Sequence, residues 1–171
     1  MDIPTLWTPR LLLRPLRPDD LDPFAAMMAD PDVVRHLGRG LTRSRAETWE
    51  SMAQMLGQWA LRGYGMFAVT ERASGRFAGR AGILHPYAWA EPELAYGFDR
   101  PFWGKGYATE AALVIRDWAF AAFAPPRLVS FVRPANLGSV RVLEKLGARL
   151  VDETEMLDAP AQMWAHLPPP G

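Results

Sequence analysis

The chain contains no cysteine, and it has neither a long hydrophobic run nor an excess of charge of one sign. Without cysteine there can be no disulfide framework, thiol nucleophile or thiolate metal site. No apolar run approaches the ~20 residues of a membrane span, and the first residues lack the basic start and apolar run of a signal peptide. The 19 basic and 19 acidic side chains cancel. We therefore expect a cytoplasmic protein that binds neither nucleic acid nor membrane.

The length and composition are those of one compact domain. A chain of 171 residues, 49% of them hydrophobic and 22% charged, is long enough for one complete core. We predict a single domain over residues 1–171, with a short proline-rich tail at 168–171 that forms neither helix nor strand. The histidines, His36, His85 and His166, are too scattered in sequence to suggest a ligand cluster, so we predict no metal.

The spacing of apolar residues predicts the element order β α α β β β α β α β β, a mixed α/β fold with about seven strands and about four helices. Asp19 or Asp20 is expected to cap the first helix. The long helix before Pro125 is apolar nearly all round, so most of its surface must lie against the sheet. The predicted strands are 10–17, 66–72, 76–84, 93–98, 128–132, 150–156 and 163–167, and the predicted helices run from residue 20 toward 28 and over 46–60, 108–123 and 139–146.

A glycine-rich turn joins the fourth predicted strand to the long helix. In Gly104-Lys105-Gly106, small residues allow close approach of the backbone, and unpaired N–H groups and the helix dipole point in the same direction. Such a turn binds a phosphate, and Lys105 adds a cation. The alternative is a plain helix start in which the glycines only relieve crowding.

Two nucleotide motifs do not fit this turn. A P-loop needs Gly at position 99 and Ser or Thr at 106, where the chain has Asp99 and Gly106. A dinucleotide fingerprint needs a third Gly at Thr109 and an acidic residue after the next strand, where Arg133 and Pro134 stand.

Two segments at matching spacing carry a resemblance to a known family. Trp103-Gly-Lys-Gly-Tyr-Ala-Thr-Glu-Ala111 follows Glu93-Leu-Ala-Tyr96, and Asn136-Leu-Gly-Ser-Val-Arg-Val-Leu-Glu-Lys-Leu-Gly147 comes after the next strand. From about Thr8 to Leu167 the chain resembles the GNAT N-acetyltransferases, in the RimJ/RimL-like branch that acetylates the N-termini of ribosomal proteins. The resemblance implies a central sheet splayed between the fourth and fifth predicted strands, with acyl-CoA in the gap.

The resemblance also implies acetyl-CoA as the cosubstrate, with its pyrophosphate on the N–H groups of Gly104 to Ala108. Trp103 replaces the usual Arg or Gln, which removes one side-chain contact. Asn136 either contacts the pantetheine or only caps the following helix, and both roles stay open. The implied cofactor-binding residues are Phe98, Trp103, Gly104, Lys105, Gly106, Tyr107, Ala108, Thr109 and Asn136.

The implied catalytic residues are Glu93 and Ser139. Many family members protonate the leaving thiolate with a Tyr, but Leu143 stands at that position here. Ser139, one turn earlier, is the branch's candidate acid, although it also suits a helix cap and protonation through water stays open. Glu93 matches the branch's general base or is a solvated strand end. A backbone N–H at a bulge near Gly97 or Phe98 is expected to stabilise the oxyanion.

The predicted function is N-acetyl transfer to a protein N-terminal α-amine or a small-molecule amine, by a monomer or homodimer. The resemblance places the acceptor groove at residues 35–45 and near residues 87–91. The four arginines of 35–45 either attract an anionic acceptor or a ribosomal surface, or belong to a solvated loop. Tyr87, Trp89 and Trp49 either stack on the acceptor or belong to the core. Two other classes stay open: a non-catalytic acyl-CoA-binding module, favoured by Leu143, and a nucleotide-binding protein.

Overall fold

The central sheet follows the order β1-β2-β3-β4-β5-β6-β8-β7 in a computed structural model that describes residues 2–168. Its strands are β1 (Leu6–Trp7), β2 (Leu11–Arg14), β3 (Met66–Glu71), β4 (Phe77–Leu84), β5 (Glu93–Phe98), β6 (Leu128–Val132), β7 (Arg149–Met156) and β8 (Ala159–His166). The helices are α1 (Leu21–Ala29), α2 (Pro31–Val34), α3 (Arg45–Arg62), α4 (Tyr107–Phe123) and α5 (Leu137–Lys145). The end of the predicted tail, residues 169–171, lies outside the described residues.

The sheet is mixed, and it opens where the resemblance places a gap. All neighbouring strands pair antiparallel except β5 and β6, which are parallel. The β5–β6 ladder has a single pair, Glu93 opposite Val129. Beyond that pair the two strands diverge, which confirms the predicted splay; the predicted fourth and fifth strands are β5 and β6 because the two-residue β1 precedes them.

Several predicted boundaries are wrong for local reasons. The first predicted strand, 10–17, reduces to β2, since Pro15 has no N–H to donate. The short helix α2 was not predicted; the Asp30 side chain caps it by accepting from the N–H of Asp32, and Pro31 fits its first turn. β8 begins at Ala159 rather than 163, because a turn at Leu157 and Asp158 folds it back on β7.

The predicted cap on α1 is also wrong. No side chain caps this helix. The Asp20 carboxylate instead accepts from both terminal nitrogens of Arg14 at 2.7 Å and from the Arg17 N–H at 2.8 Å. A buried carboxylate with two guanidinium bonds is better satisfied there than at a helix end.

The core lies on both faces of the sheet and fixes the position of α4. On one face, Ala111, Ala112, Ile115 and Ala119 of α4 are fully buried, as its apolar sequence predicts. Small alanine side chains let the helix approach the sheet closely. On the other face α1, α2 and part of α3 enclose a second cluster around Phe24. Because α4 packs tightly over β4 and β5, its first turn is held at the open end of the gap.

Candidate active site

One large cleft of about 1170 Å³ runs through the gap between β5 and β6. On one side, which we call the α4 half, it is lined by the start of α4 and by α5. On the other, the α3 half, it is lined by residues 35–43 and by α3. Every predicted site residue lines this cleft except Lys105. The fold therefore brings together residues that are up to 46 positions apart in the sequence.

The glycine turn has the backbone conformation that the anion-site prediction requires. Gly104 and Gly106 have φ angles of +73° and +79°, and Gly106 is the N-cap of α4 with no side chain to occupy the helix end. The first N–H groups of an α-helix have no partner within it, so those that follow Gly106 are available to a ligand. The α4 half thus combines free donors with the positive end of a long helix.

The turn is held in place by the segment just before β2. Arg10 donates from Nη1 to the carbonyl oxygen of Lys105 at 2.7 Å and from Nε to Glu110 at 2.7 Å. Glu110 also accepts from the backbone N–H of Arg10 at 2.9 Å and from the Thr8 hydroxyl at 2.6 Å. These bonds order the backbone of the turn before any ligand arrives, which reduces the entropy lost on binding.

The side chain of Lys105 turns away from the cleft. Its Nζ lies 3.3 Å from Oε1 of Glu71, and the Tyr107 hydroxyl donates to the same oxygen at 2.6 Å. The hydrogen bonds from Tyr107 and Ser74 lower the pKa of Glu71 to about 2, so this carboxylate stays charged beside Lys105. The predicted contribution of the lysine charge to the anion site is therefore offset by Glu71.

Two other cations face the α4 half, and neither was among the site residues predicted from the sequence. Arg141 and Lys145 line the cleft from α5. Their i, i+4 spacing puts both on one face of the helix, and neither side chain has a hydrogen bond or ion pair among the described residues. The spacing was visible in the sequence, but it marks a functional face only once the position of α5 is known.

Glu93 is buried at the point where β5 and β6 separate, with 8% of its surface exposed. Burial raises the pKa of this carboxyl to about 7, against the opposing effects of a 3.2 Å hydrogen bond from the Phe131 N–H and of the Arg80 charge. The alternative of a solvated strand end is therefore wrong. A carboxylate with this pKa can accept a proton near neutral pH.

Ser139 lies beside Tyr96, a residue for which the sequence predicted no role. Their hydroxyl oxygens are 2.8 Å apart, and burial raises the pKa of Tyr96 to about 12. Asn136 caps α5 by accepting from the Ser139 N–H at 3.2 Å, so its capping role is observed while the residue also lines the cleft. Leu143 is fully buried and offers no proton.

The backbone of β5 presents N–H groups to the gap. The Leu94 carbonyl accepts from Ser130 on β6 at 2.7 Å, and alternate residues of a strand point to the same side. The N–H groups of Tyr96 and Phe98 therefore also face β6, whereas that of Gly97 faces β4. The predicted bulge is wrong, since β5 pairs with β4 from Glu93 to Phe98 without a register shift.

Of the three aromatic residues considered for the acceptor groove, one lines the cleft and two do not. Trp89 lines the cleft and packs edge-on against Phe131, with ring centroids 5.9 Å apart. Tyr87 and Trp49 are 97% and 59% exposed and do not line the cleft. They do not belong to the core, so that alternative is wrong for both of them.

Within residues 2–168, no group of three or more His, Asp or Glu side chains could hold a metal ion. His166 is buried and shares a hydrogen bond of 2.9 Å with Ser130, while His85 bonds to Tyr64 at 2.6 Å. In the same part of the chain, no helix combines the length and apolar character that a membrane crossing requires.

Comparisons with known proteins match most of this chain. A family model described as an acetyltransferase (GNAT) domain matches residues 10–149. The uncharacterised N-acetyltransferase p20 of Bacillus licheniformis is 27% identical over 144 residues, covering 83% of this chain and 80% of the relative. An acetyltransferase structure from Agrobacterium tumefaciens superposes with a TM-score of 0.85 at 33% identity, covering 97% and 95% of the two chains. The ribosomal L7/L12 alpha-N-protein acetyltransferase RimL, solved in complex with coenzyme A, shares the fold, with a TM-score of 0.78 at 17% identity over 94% and 95% of the chains.

Proposed function

This chain belongs to the GNAT acetyltransferase family, and from that membership we propose that it transfers the acetyl group of acetyl-CoA to the primary amine of a protein N-terminus or a small molecule. One observation carries the proposal. A single cleft joins the free N–H groups at the start of α4 to a buried carboxylate whose pKa is about 7. A donor with a phosphate group at one end and a reacting group at the other would span these two features.

The residues of the α4 half suit coenzyme A. We assign the pyrophosphate to the backbone N–H groups from Gly104 to Ala108, since no side chain at the two glycines blocks its approach. Arg141 and Lys145 add positive charge on the same side. Asn136, Phe98 and Trp103 lie along the cleft toward Glu93, where the pantetheine arm would pass.

In the proposed reaction, the amine nitrogen bonds to the thioester carbonyl carbon, the C–S bond breaks, and Glu93 takes the proton that the amine loses. The Phe98 N–H faces the gap and would donate to the carbonyl oxygen as it gains charge. Ser139 would give its proton to the thiolate sulfur and recover one from Tyr96, whose hydroxyl is 2.8 Å away. The proton on Glu93 then leaves to solvent and Tyr96 takes one proton from solvent, so that both groups return to their starting states.

The pKa of Glu93 favours a weakly basic acceptor. Deprotonating an α-amine with a pKa of about 7.7 to 8.0 costs only about 1 to 1.4 kcal/mol at pH 7, whereas a lysine amine costs about 4.6 kcal/mol. A carboxylate with a pKa of about 7 nearly matches the α-amine. We therefore favour an N-terminal or other α-amine over a lysine side chain.

Thiol release from acetyl-CoA in the presence of a panel of amines tests the proposal. We expect steady-state turnover with at least one peptide or small α-amine. Tight acetyl-CoA binding without turnover on any acceptor would favour the non-catalytic module. Thermal stabilisation by ATP or NAD, with none by coenzyme A, would favour the nucleotide-binding class.

Replacing Tyr96 with Phe is expected to lower kcat about 10-fold, because Ser139 then has no neighbouring proton source and relies on water. Ser139→Ala is expected to have a similar effect. If the two hydroxyls act as one unit, the double variant should be no slower than the slower single variant. Independent, multiplying losses in this double-mutant cycle would contradict the proposed relay.

A further inference from the structure

The guanidinium group of Arg80 lacks a partner although it faces the cleft. Arg80 lies on β4 and is half-buried, and its Nε is fully buried with no hydrogen-bond partner in the described part of the chain. No hydrogen bond or ion pair involves its terminal nitrogens among residues 2–168. Buried donors in folded proteins are nearly always paired, so this side chain has the features of a ligand-binding group without its ligand.

The other arginines that line the α3 half are already bonded to acidic side chains or carbonyl oxygens, with the exception of Arg43. Arg43 donates to Ser51, has no acidic partner in the described residues, and lies close enough to Arg80 to lower its pKa. Burial is the largest cause of that shift, which brings the pKa of Arg80 to about 10 against the opposing effect of the Glu93 charge. Arg35 pairs with Asp32, Arg39 pairs with Asp158, and Arg133 donates to the carbonyl oxygens of Ala159 and Gly38.

The position of Arg80 assigns it to the acceptor rather than to the pyrophosphate. It lies directly opposite Gly97 of β5, and a side-chain carbon at Gly97 would meet Leu37, so this face of the sheet is the one covered by residues 35–43. Glu93 shares the face, because alternate residues of β5 point to the same side. Four residues of strand, or about 13 Å, separate Glu93 from Gly97, the residue opposite Arg80. The long side chains of Glu93 and Arg80 bring their charged groups closer together than their backbones.

We propose that Arg80, assisted by Arg43, binds a carboxylate of the amine acceptor, so that the substrates are amines that also carry an acidic group. The inference rests on the proposed function. Arg80 would hold the carboxylate end-on through its two terminal nitrogens, a geometry that a planar guanidinium allows and an ammonium does not. With the carboxylate at Arg80 and the amine at Glu93, charge alone would orient the acceptor across the cleft. The carboxylate could belong to a free amino acid or to an acidic residue near a peptide N-terminus.

Matched acceptors separate these sources. A peptide with Asp at its second position is compared with the same peptide carrying Asn, because the two differ in one charge and hardly in the pKa of the α-amine. A free amino acid and its amide form the second pair, compared at equal concentrations of neutral amine. Rates are measured near pH 9, where Glu93 is ionised in every variant. We expect the acidic member of at least one pair to have at least a 10-fold higher kcat/KM.

Arg80→Met is expected to abolish that preference, with less than a 3-fold change for the uncharged acceptors and an unchanged Kd for acetyl-CoA. Arg80→Lys, which keeps the charge but lacks the planar pair of terminal N–H groups, should recover only part of it. The Met variant should melt no lower than the wild type, because it removes a buried N–H without a partner. Equal rates within both pairs for the wild type would overturn the inference, as would a weaker Kd for acetyl-CoA in Arg80→Met.

Binding provides a readout that does not depend on turnover. The N-acetylated Asp and Asn peptides are titrated calorimetrically into the CoA-loaded protein. We expect the wild type to bind the acidic peptide at least 10-fold more tightly and Arg80→Met to bind both equally. If no acceptor is acetylated yet the acidic peptide is preferred, the proposed function fails and the carboxylate site stands. Turnover without any preference would support the proposed function and contradict the carboxylate site.

Discussion

Replacing Glu93 with Gln is expected to lower kcat/KM for an α-amine acceptor about 100-fold at pH 7 and below, at the lower end of the range for a lost general base. Glutamine keeps the shape of the side chain and can still accept from the Phe131 N–H. It cannot accept the proton of the attacking amine, so the variant depends on the small neutral fraction of the substrate.

The size of this loss should depend on pH in a specific way. Above pH 7 the ratio of wild-type to variant kcat/KM is expected to shrink about tenfold per pH unit, because the amine becomes neutral without help. Below pH 7 the ratio should be constant. In that range the ionised fraction of Glu93, whose pKa is about 7, and the neutral fraction of the amine both fall about tenfold per pH unit. An equal loss at pH 6 and pH 9 would leave Glu93 without a role as base.

The same variant should be more stable than the wild type at neutral pH. The folded protein raises the pKa of Glu93 from 4.5 to about 7. Below pH 4.5 the carboxyl is protonated in both the folded and unfolded chains, and its burial costs no ionisation energy. As the pH rises from 4.5 through 7, the unfolded chain is ionised while the folded chain keeps its proton, and the folded state loses about 3 kcal/mol. Urea unfolding at pH 5 and pH 8 should show this decline in the wild type and not in Glu93→Gln.

Two controls keep the test specific. Glu153→Gln removes an exposed carboxylate on β7 outside the cleft and should change neither the rate nor the pH profile. The Kd for acetyl-CoA should be the same in wild type and Glu93→Gln, since Glu93 lies at the far end of the cleft from the glycine turn. Lower stability of Glu93→Gln at pH 8 would contradict the burial-raised pKa of this residue.

Replacing Gly106 with Asp is expected to weaken acetyl-CoA binding about 100-fold, because a like charge about 4 Å from the pyrophosphate costs up to about 4 kcal/mol at a surface-like dielectric. Gly106 caps α4 with φ of +79°, so a side chain there stands at the mouth of the free N–H groups. Its Cβ would lie 3.5 Å from Nη2 of Arg10, which offsets part of the new charge. The loss should shrink in high salt.

Gly106→Asn is the matched control for this prediction. Asn and Asp have nearly the same size, and both tolerate the left-handed backbone better than other residues with a side chain. Backbone strain and steric obstruction are therefore shared, and the difference in Kd between the two variants reports the charge. Isothermal titration with acetyl-CoA measures it. Equal affinities of the Asn and Asp variants for acetyl-CoA would show that the pyrophosphate does not bind at this turn.

The sequence predicted the elements whose pattern is local. β5 and β6 were predicted with the bounds that the structure shows, and α4 within one residue, since their apolar runs end at clear turn residues. The two-residue β1 and the one-turn α2 were missed because neither is long enough to show a period. The extension of β8 back to Ala159 was missed for another reason: its pairing with β7 depends on two residues in left-handed conformations that no sequence pattern indicates.

What the sequence by itself determined was the family, the position of the glycine turn and the identity of Glu93 and Ser139 as candidates, because each is carried by contiguous motifs. The tertiary structure alone decided how those residues are used. Folding placed Glu71 beside Lys105, Tyr96 beside Ser139, and Arg80 on the face of the sheet shared with Glu93. Proton affinity and charge pairing depend on burial and on neighbours distant in the chain. A linear motif therefore identifies the candidate reacting groups, whereas the fold sets their pKa values and their partners.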